Sequence, residues 1–354
     1  MITLLNSYNR QIRTALLIGG ALIVVLLFFG LPEFMVQSSI RRATPYILGS
    51  LAALLASRAG VLNLAIEGKM LLGAFVAVAA LYKTGLDPMV GVLAAAISGG
   101  VLGLIFAILY LRIKINLIIL ALAVNLFVSN ATVFFMRTNY GAFGTLADPS
   151  INSLPTLPLP IVDGIPFLAN RFSNYNIIVY LSWVLVVVVW VVLFRTRFGR
   201  HIRAVGENRA AAEAVGINVT LVQIFALTLS GILAGIAGAF LSIGVLSQFV
   251  DNMSAGRGWI AITVSLFAFE QPVAAFFTSL FFGLAEAGSA TLQTDASIGL
   301  PPDILLMIPQ FATLIALILV ALRIRAAELL KRRNFAAQFG RELANLRRGV
   351  VAGD

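Results

Sequence analysis

The stretch PMVGVLAAAISGGVLGLIFAILYLRIKINLIILALAVNLFVSNATVFFM, residues 88–136, holds two long apolar runs parted by Arg112 and Lys114. Crossing roughly 30 Å of hydrocarbon as a helix takes about 20 residues, and each run has that length. The apolar residues follow one another instead of alternating with polar ones, so neither run reads as a barrel strand. Backbone polar groups in lipid need internal partners, which a helix supplies. The stretch is therefore read as a transmembrane helical hairpin with a basic turn.

The pattern recurs on both sides. Apolar runs near residues 14–31, 43–57, 63–83, 88–111, 115–136, 175–194, 221–243, 256–270, 272–292 and 303–323 predict an all-α polytopic membrane protein of about ten transmembrane helices. Composition agrees: 60% of residues are hydrophobic and 11% charged, whereas globular chains carry roughly 25% charged residues. Mean hydropathy is +0.98. Arg10 and Arg13 precede the first run without a small-residue cleavage site after it, so that run is expected to stay as an anchor.

Several function classes fall away. The chain has no cysteine and a single histidine, His201, which excludes disulfides, thiolate metal sites and a histidine-built zinc or haem site. No Gly-x-x-x-x-Gly-Lys-Ser/Thr phosphate loop, serine elbow or pair of catalytic carboxylates occurs. We therefore expect no enzyme, no metal and no cofactor bound by this chain. The net charge of +10 reflects basic cytoplasmic loops beside membrane lipid and calls for no nucleic acid partner.

The basic residues also orient the chain. With the N-terminus inside, all Lys and Arg except Arg41, Arg42, Lys83, Arg137, Arg171 and Arg257 lie on the cytoplasmic side. Both termini are thus expected in the cytoplasm of a multi-pass inner-membrane protein. Arg41 and Arg42 fit this arrangement worst. Residues 1–325 would form the transmembrane domain and 326–354 a basic cytoplasmic tail. Residues 137–174, broken by Pro155, Pro158, Pro160 and Pro166, would form an external loop. Spans two to five and seven to ten have similar lengths, opposite directions and a Gly/Arg interruption at matching positions (Arg58-Ala59-Gly60 and Gly256-Arg257-Gly258). This suggests an inverted repeat with a transport pathway near its interface.

Two segments stand out. In RAVGENRAAAEAVGINV, residues 203–219, Asn208 can cap a short helix starting at Arg209, and Gly216 can end it. This predicts a cytoplasmic surface helix that a partner can approach; its plain alternative is a basic loop. In SRAGVLNLAIEGKMLLGA, residues 57–74, Asn63, Glu67 and Lys69 interrupt apolar surroundings. Ionisable groups there tend to face a bundle interior or water. Glu67 is placed one or two helical turns from the cytoplasmic edge, either as part of a gate or tied to Arg58, with Lys69 snorkelling. Asn116, Asn125 and Asn130 are expected to make interhelical hydrogen bonds, and Gly231, Gly235 and Gly238 to allow close packing.

These two segments, together with SGILAGIAGAFLSIG at 230–244, DNMSAGRGWIAI at 251–262 and GLPPDILLMIPQFATLIAL at 299–317, resemble permeases of the branched-chain amino acid and simple-sugar class of bacterial ABC importers. The nucleoside-type and sugar-type permeases are the nearest subgroup. The resemblance implies a permease fed by an extracytoplasmic solute-binding protein and driven by a cytoplasmic ATP-binding subunit that hydrolyses ATP. The RAGVLNLAIEG form implies pairing with a second, related permease. It also implies that Arg203, Gly206, Glu207, Asn208, Ala211, Glu213 and Gly216 belong to the helix that couples to the ATPase. Arg58, Gly60, Asn63, Glu67, Gly68, Asn125 and Arg257 would line the pathway or its gate. One departure is Phe269-Glu270-Gln271-Pro272, where such permeases usually carry a basic residue at a cytoplasmic turn.

The expected function is therefore ATP-driven import of a small polar solute, a nucleoside before a simple sugar. A secondary transporter or channel is the rival from another class. It is disfavoured by the lack of mid-membrane carboxylates suited to ion coupling.

Overall fold

A computed structural model describes residues 24–159 and 166–294 continuously, and outside them residues 19, 22, 164, 307, 310, 311, 314, 318 and 325. Most of the run at 303–323, the tail from 326 and eight residues of the run at 14–31 lie outside the described residues. The chain divides into two compact units, 1–309 and 310–354; every element below belongs to the first.

The helices are α1 (Glu33–Arg58), α2 (Ile66–Leu81), α3 (Pro88–Leu111), α4 (Leu117–Tyr140), α5 (Pro166–Phe172), α6 (Ile177–Arg195), α7 (Arg197–Glu207), α8 (Arg209–Ala214), α9 (Val219–Ala239, continued by a π-helical turn over Phe240–Leu246), α10 (Arg257–Phe267) and α11 (Pro272–Thr294). Short polar side chains start most of them. Asp87 accepts the Met89 N–H ahead of α3, Asn116 those of Ile118 and Ile119, Asn176 that of Val179, and Asn218 that of Leu221. Each satisfies a donor that a helix start would otherwise leave bare. Asn116 is thus a cap outside the helix, not the interhelical group expected. Asn130 bonds back to Leu126 O of its own helix.

Five of these helices are long and apolar enough to cross a membrane: Pro88–Leu111, Leu117–Tyr140, Ile177–Arg195, Val219–Leu246 and Pro272–Gln293. Two predicted spans are corrected. Residues 63–83 contain a helix of only 16 residues and 256–270 one of only 11, about 24 Å and 17 Å long. Hydropathy counts apolar residues whether or not their backbone is helical. Here non-helical backbone follows Gly60 (φ +77°) until Ile66, and the second helix ends at Phe267 ahead of the positive φ angles of Phe269 and Glu270. The run at 43–57 is instead longer than expected: α1 begins at Glu33, so Arg41 and Arg42 are helical residues and not part of a loop.

Helices α1 and α9 form the centre. Nearly all of α1 from Ala43 to Ala56 is buried, and α9 is buried along most of its length. α1 packs on α9, α10 and α11, while α9 packs on α1, α2 and α3. Glycines set the closeness. A Cβ on Gly231 would collide with Gly99 O, one on Gly235 with Ala95 O, and one on Gly238 with Met70 O. The expected tight packing of this stripe is therefore present, α9 lying against α2 and α3.

One end of the bundle carries Arg58, α7 and α8. The opposite end carries residues 141–159 and 166–176, which hold more structure than a helix-breaking loop: β1 (Thr145–Leu146) pairs antiparallel with β4 (Phe249–Val250), and β2 (Thr156–Leu157) with β3 (Tyr175–Asn176). Arg171 of α5 lies 3.6 Å from Glu33 at the start of α1.

Replacing Gly231 by Leu should remove most folded protein, because backbone on the α3 side leaves no room to repack. Detergent extraction followed by size-exclusion chromatography of a fluorescent fusion reads this. Leucine at exposed Gly144, where an added Cβ meets nothing although its φ is +73°, should cost far less.

Candidate functional site

The two interrupted helices meet at Glu67. After α1 the chain turns at Gly60 and runs without helix to Ala65. Asn63 holds this piece: its Oδ1 accepts the Ala65 N–H (3.2 Å) and the Lys69 ammonium (3.0 Å), and its Nδ2 donates to Ser230 Oγ of α9 (2.8 Å). Glu67 then stands in the first turn of α2. Its Oε1 accepts the N–H of Gly256 (2.8 Å) and its Oε2 the N–H of Gly258 (2.6 Å). Both donors belong to the start of α10, where helical N–H groups lack partners within the helix. One carboxylate thus faces the positive dipole ends of two helices. Glycine is required at 258, since a Cβ there would sit 2.6 Å from Glu67 Cα.

Asn125 of α4 supports the same junction. Its Oδ1 accepts the Gly68 N–H (2.9 Å) and its Nδ2 donates to Leu64 O (3.1 Å), so its expected interhelical role is present. Lys69 departs from expectation. It is fully buried, with its ammonium 4.5 Å from the Phe106 ring centroid. A snorkelling lysine would reach for water; this one is held inside by the Asn63 carbonyl oxygen and the electron-rich ring face.

Arg58 does not pair with Glu67. Its guanidinium donates to Phe269 O (3.2 Å) and Glu270 O (3.0 and 2.9 Å), and lies 3.4 Å from the Glu270 carboxylate. Ser57 Oγ donates to that same carboxylate. Phe269 and Glu270 both have positive φ, and Arg58 gathers the carbonyls of this tight turn. The unusual acid at 270 is therefore tied to the end of α1. Glu67 itself contacts Gly258, about 15 Å of helix from Ala268 at the end of the bundle that carries Arg58.

A second polar cluster lies towards the other end. Arg257 donates to Glu286 Oε1 (2.7 Å) and to Met253 O (3.2 Å). Arg42 reaches the same Oε1 at 3.2 Å, and the Tyr46 hydroxyl donates to Oε2 at 2.7 Å. The expected pathway residues thus divide. Asn63, Glu67, Gly68 and Asn125 come together, Arg257 sits at the start of α10 but turns to Glu286, and Arg58 and Gly60 lie at the basic end. Sequence reasoning missed Glu286, Tyr46 and Ser230. A lone acid inside an apolar run was a usable signal for Glu286; nothing local marks Tyr46 or Ser230.

The segment 203–219 forms the predicted capped helix. Asn208 Oδ1 accepts the Ala211 N–H at 3.0 Å, and Gly216 ends the turn at φ +81°. A further helix, α7, precedes it, with Thr196 Oγ1 accepting the Gly199 N–H. Glu207, Ala211 and Glu213 are exposed, as is Val215 at 75%. Gly206 instead packs backbone to backbone on Arg58, and Arg203 turns inward over the Phe194 ring (5.2 Å). Among the described residues, no three of His, Cys, Asp or Glu gather where a metal ion would sit.

Long apolar helices around two short ones whose ends meet at a buried polar junction fit a polytopic membrane permease. A family model described as the permease component of the branched-chain amino acid transport system matches residues 35–324, and the chain belongs to that family. It is 30% identical over 294 residues to the guanosine ABC transporter permease protein NupQ of Bacillus subtilis, covering 80% of this chain and 91% of that one. It is 28% identical over 298 residues to the nucleoside ABC transporter permease protein NupC of Lactococcus lactis, covering 81% and 92%. It is 32% identical over 273 residues to the putative glucose ABC transporter permease protein TsgC13 of Haloferax volcanii, covering 76% and 80%. No solved structure matches the chain.

Glu67→Gln keeps the shape but leaves one oxygen to accept two N–H groups and turns an amide NH2 toward the other. Transport per assembled complex should fall about tenfold or more, a change of roughly 1.4 kcal/mol or more, while assembly persists. Arg58→Gln and Glu270→Gln should lower the melting temperature by similar amounts, and the double variant by little more than either alone. Additive losses would show that the two side chains act independently.

Proposed function

We propose that the chain is the membrane permease subunit of an ATP-driven importer that brings a small polar solute, a nucleoside or a simple sugar, into the cytoplasm. The observation that carries the reading is the junction at Glu67, where two helices that stop within the bundle share one carboxylate. Discontinuous helices with converging N-termini are how transporters place polar groups at membrane depth without exposing bare backbone to lipid. Family membership and the nucleoside and glucose permeases among the relatives support the solute classes.

On this reading the membrane domain has about ten membrane-embedded helices, of which Ile66–Leu81 and Arg257–Phe267 enter the bundle without crossing it and the last lies in 303–323. It is built as an inverted repeat. In support, α1 packs on α10 and α11 while α9 packs on α2 and α3, a reciprocal exchange between the two halves. The termini and the basic end face the cytoplasm, and residues 141–176 face outward. Ala211, Glu213 and the exposed end of α8 seat in the ATP-binding subunit, with Glu207, Asn208 and Gly216 shaping that helix. Arg203 and Gly206 transmit its movement, since Gly206 rests on the Arg58 end of α1. ATP binding moves α7 and α8, α1 shifts with them, and the Glu67 junction opens or closes the pathway. A second, related permease completes the pathway, and an external binding protein delivers the solute.

Proteoliposomes holding the chain with its cognate permease, ATPase and binding protein should accumulate a nucleoside or sugar only when ATP is supplied. Accumulation driven by an ion gradient without ATP would overturn the reading in favour of a secondary transporter. Ala211→Trp should leave the complex assembled yet separate ATP hydrolysis from uptake. In this cysteine-free chain, Ala147→Cys should react with an impermeant thiol reagent from outside, and Glu213→Cys only after the membrane is opened. The reverse pattern would invert the topology.

A further inference from the structure

A cavity of about 430 Å³ lies between α1, the π-helical turn of α9, and the starts of α10 and the Glu286 cluster. Its volume is in the range of sites that enclose small molecules. Phe34, Phe240, Leu246 and Met253 give it apolar walls, and Arg41, Arg42, Arg257 and Glu286 supply its charge. The hydrogen-bonding inventory of those four residues is one-sided. Both oxygens of Glu286 are already engaged, Oε1 by Arg257 and Arg42 and Oε2 by Tyr46. Arg42 spends its Nε on Ser38 Oγ at 3.4 Å, and Arg257 its Nη1 on Met253 O. Arg42 Nη2, Arg257 Nε and the whole Arg41 guanidinium have no hydrogen-bond acceptor among the described residues. Arg41 only overlies the Tyr175 ring, 5.8 Å from its centroid.

The cavity therefore offers more free donors than free acceptors, the amide oxygen of Gln37 and the Ser38 hydroxyl being the uncharged exceptions. That asymmetry separates the heterocycle of a nucleoside from a sugar ring, so the ribose, with its own hydroxyls, is to lie outside the arginine cluster. Each hydroxyl of a simple sugar brings a proton that needs an acceptor as well as an oxygen that accepts. In this cavity most of those protons would lose water without finding an acceptor. An oxo- or aza-substituted heterocycle brings in-plane acceptors and two apolar faces. Guanidinium forks suit such paired acceptors, as in arginine recognition of a purine edge, while aromatic and thioether walls suit the ring faces.

We propose that this cavity is a station for the heterocycle of a nucleoside-type solute, held edge-on by Arg41, Arg42 and Arg257 between apolar walls. The proposal rests on the permease reading above and deepens it by selecting the nucleobase over the sugar ring. It also places selectivity in the permease itself.

Ser38 lines the cavity, and the chain has no native cysteine to interfere. In the complete transporter, Ser38→Cys is labelled with an impermeant maleimide in the presence of guanosine, inosine, uridine or glucose. At least one nucleoside should slow labelling about fivefold or more, and glucose at the same concentration should not. Adding Arg41→Gln should raise the nucleoside concentration giving half-protection about tenfold. Equal protection by glucose overturns the proposed chemistry. Absence of protection in a complex that still imports a nucleoside overturns the site while leaving the permease reading intact. Nucleoside protection in a complex with no ATP-dependent uptake overturns the importer reading and leaves the site standing.

Discussion

The carboxylate of Glu67 accepts the backbone N–H groups of Gly256 and Gly258, and the interruptions of two helices depend on this contact. A helix that starts inside an apolar bundle leaves N–H groups without partners, each costly to bury. A buried carboxylate without donors is costlier still. Each problem resolves the other. Because Glu67 also lies in the first turn of α2, its charge stabilises both helix starts at once. The glycines follow from the geometry: Gly256 has the left-handed backbone and Gly258 the absent Cβ that let α10 approach so closely.

The remaining polar groups are organised around that junction on the same terms. Asn63 spans the non-helical stretch before α2 and ties it to Ser230 of α9, so a central helix bears on the site directly. Asn125 binds the start of α2 from the other side. Lys69 is accommodated only because an amide oxygen and an aromatic face converge on its ammonium. At the basic end, Arg58 gathers the carbonyls of the 269–270 turn and the Glu270 carboxylate. The acid that looked anomalous for the family is thus an internal counter-charge. On its other side Arg58 has Gly206 as neighbour, which connects the surface helices α7 and α8 to α1 by backbone contact.

This arrangement gives the proposed coupling a short physical route. Force on α8 passes through α7 to the end of α1, and α1 packs along α10, whose first residues hold Glu67. No chain of charged side chains is needed, because glycine contacts transmit displacement without slack. The arginine cavity lies beyond the junction, towards the end that carries residues 141–159 and 166–176. A solute leaving it would meet the Glu67 contact next. Were the proposed gate to open, two helix N-termini and one carboxylate would be uncovered together.

The sequence by itself determined the class of protein, most helices and several of their ends. Apolar run length dictates membrane helices whatever their neighbours do, and the cap at Asn208, the stop at Gly216 and the glycine stripe of α9 act within a few residues of chain. The junction was legible only in part: Asn63, Glu67 and Asn125 were recognisable as polar groups in apolar surroundings, but their partners were not. The one partner that the sequence offered for Glu67, as the alternative to a gate, was Arg58, nine residues away, whereas its donors lie 189 and 191 residues away. Hydropathy could not separate helix from apolar non-helical backbone, so two short helices read as full spans. Charge patterning set Arg42 down as a misfit, although Glu286 lies 3.2 Å from it across the bundle. Pairings of this kind are decided by which helices pack together, and that is settled by shape and close approach over the whole fold rather than by the residues of any one segment.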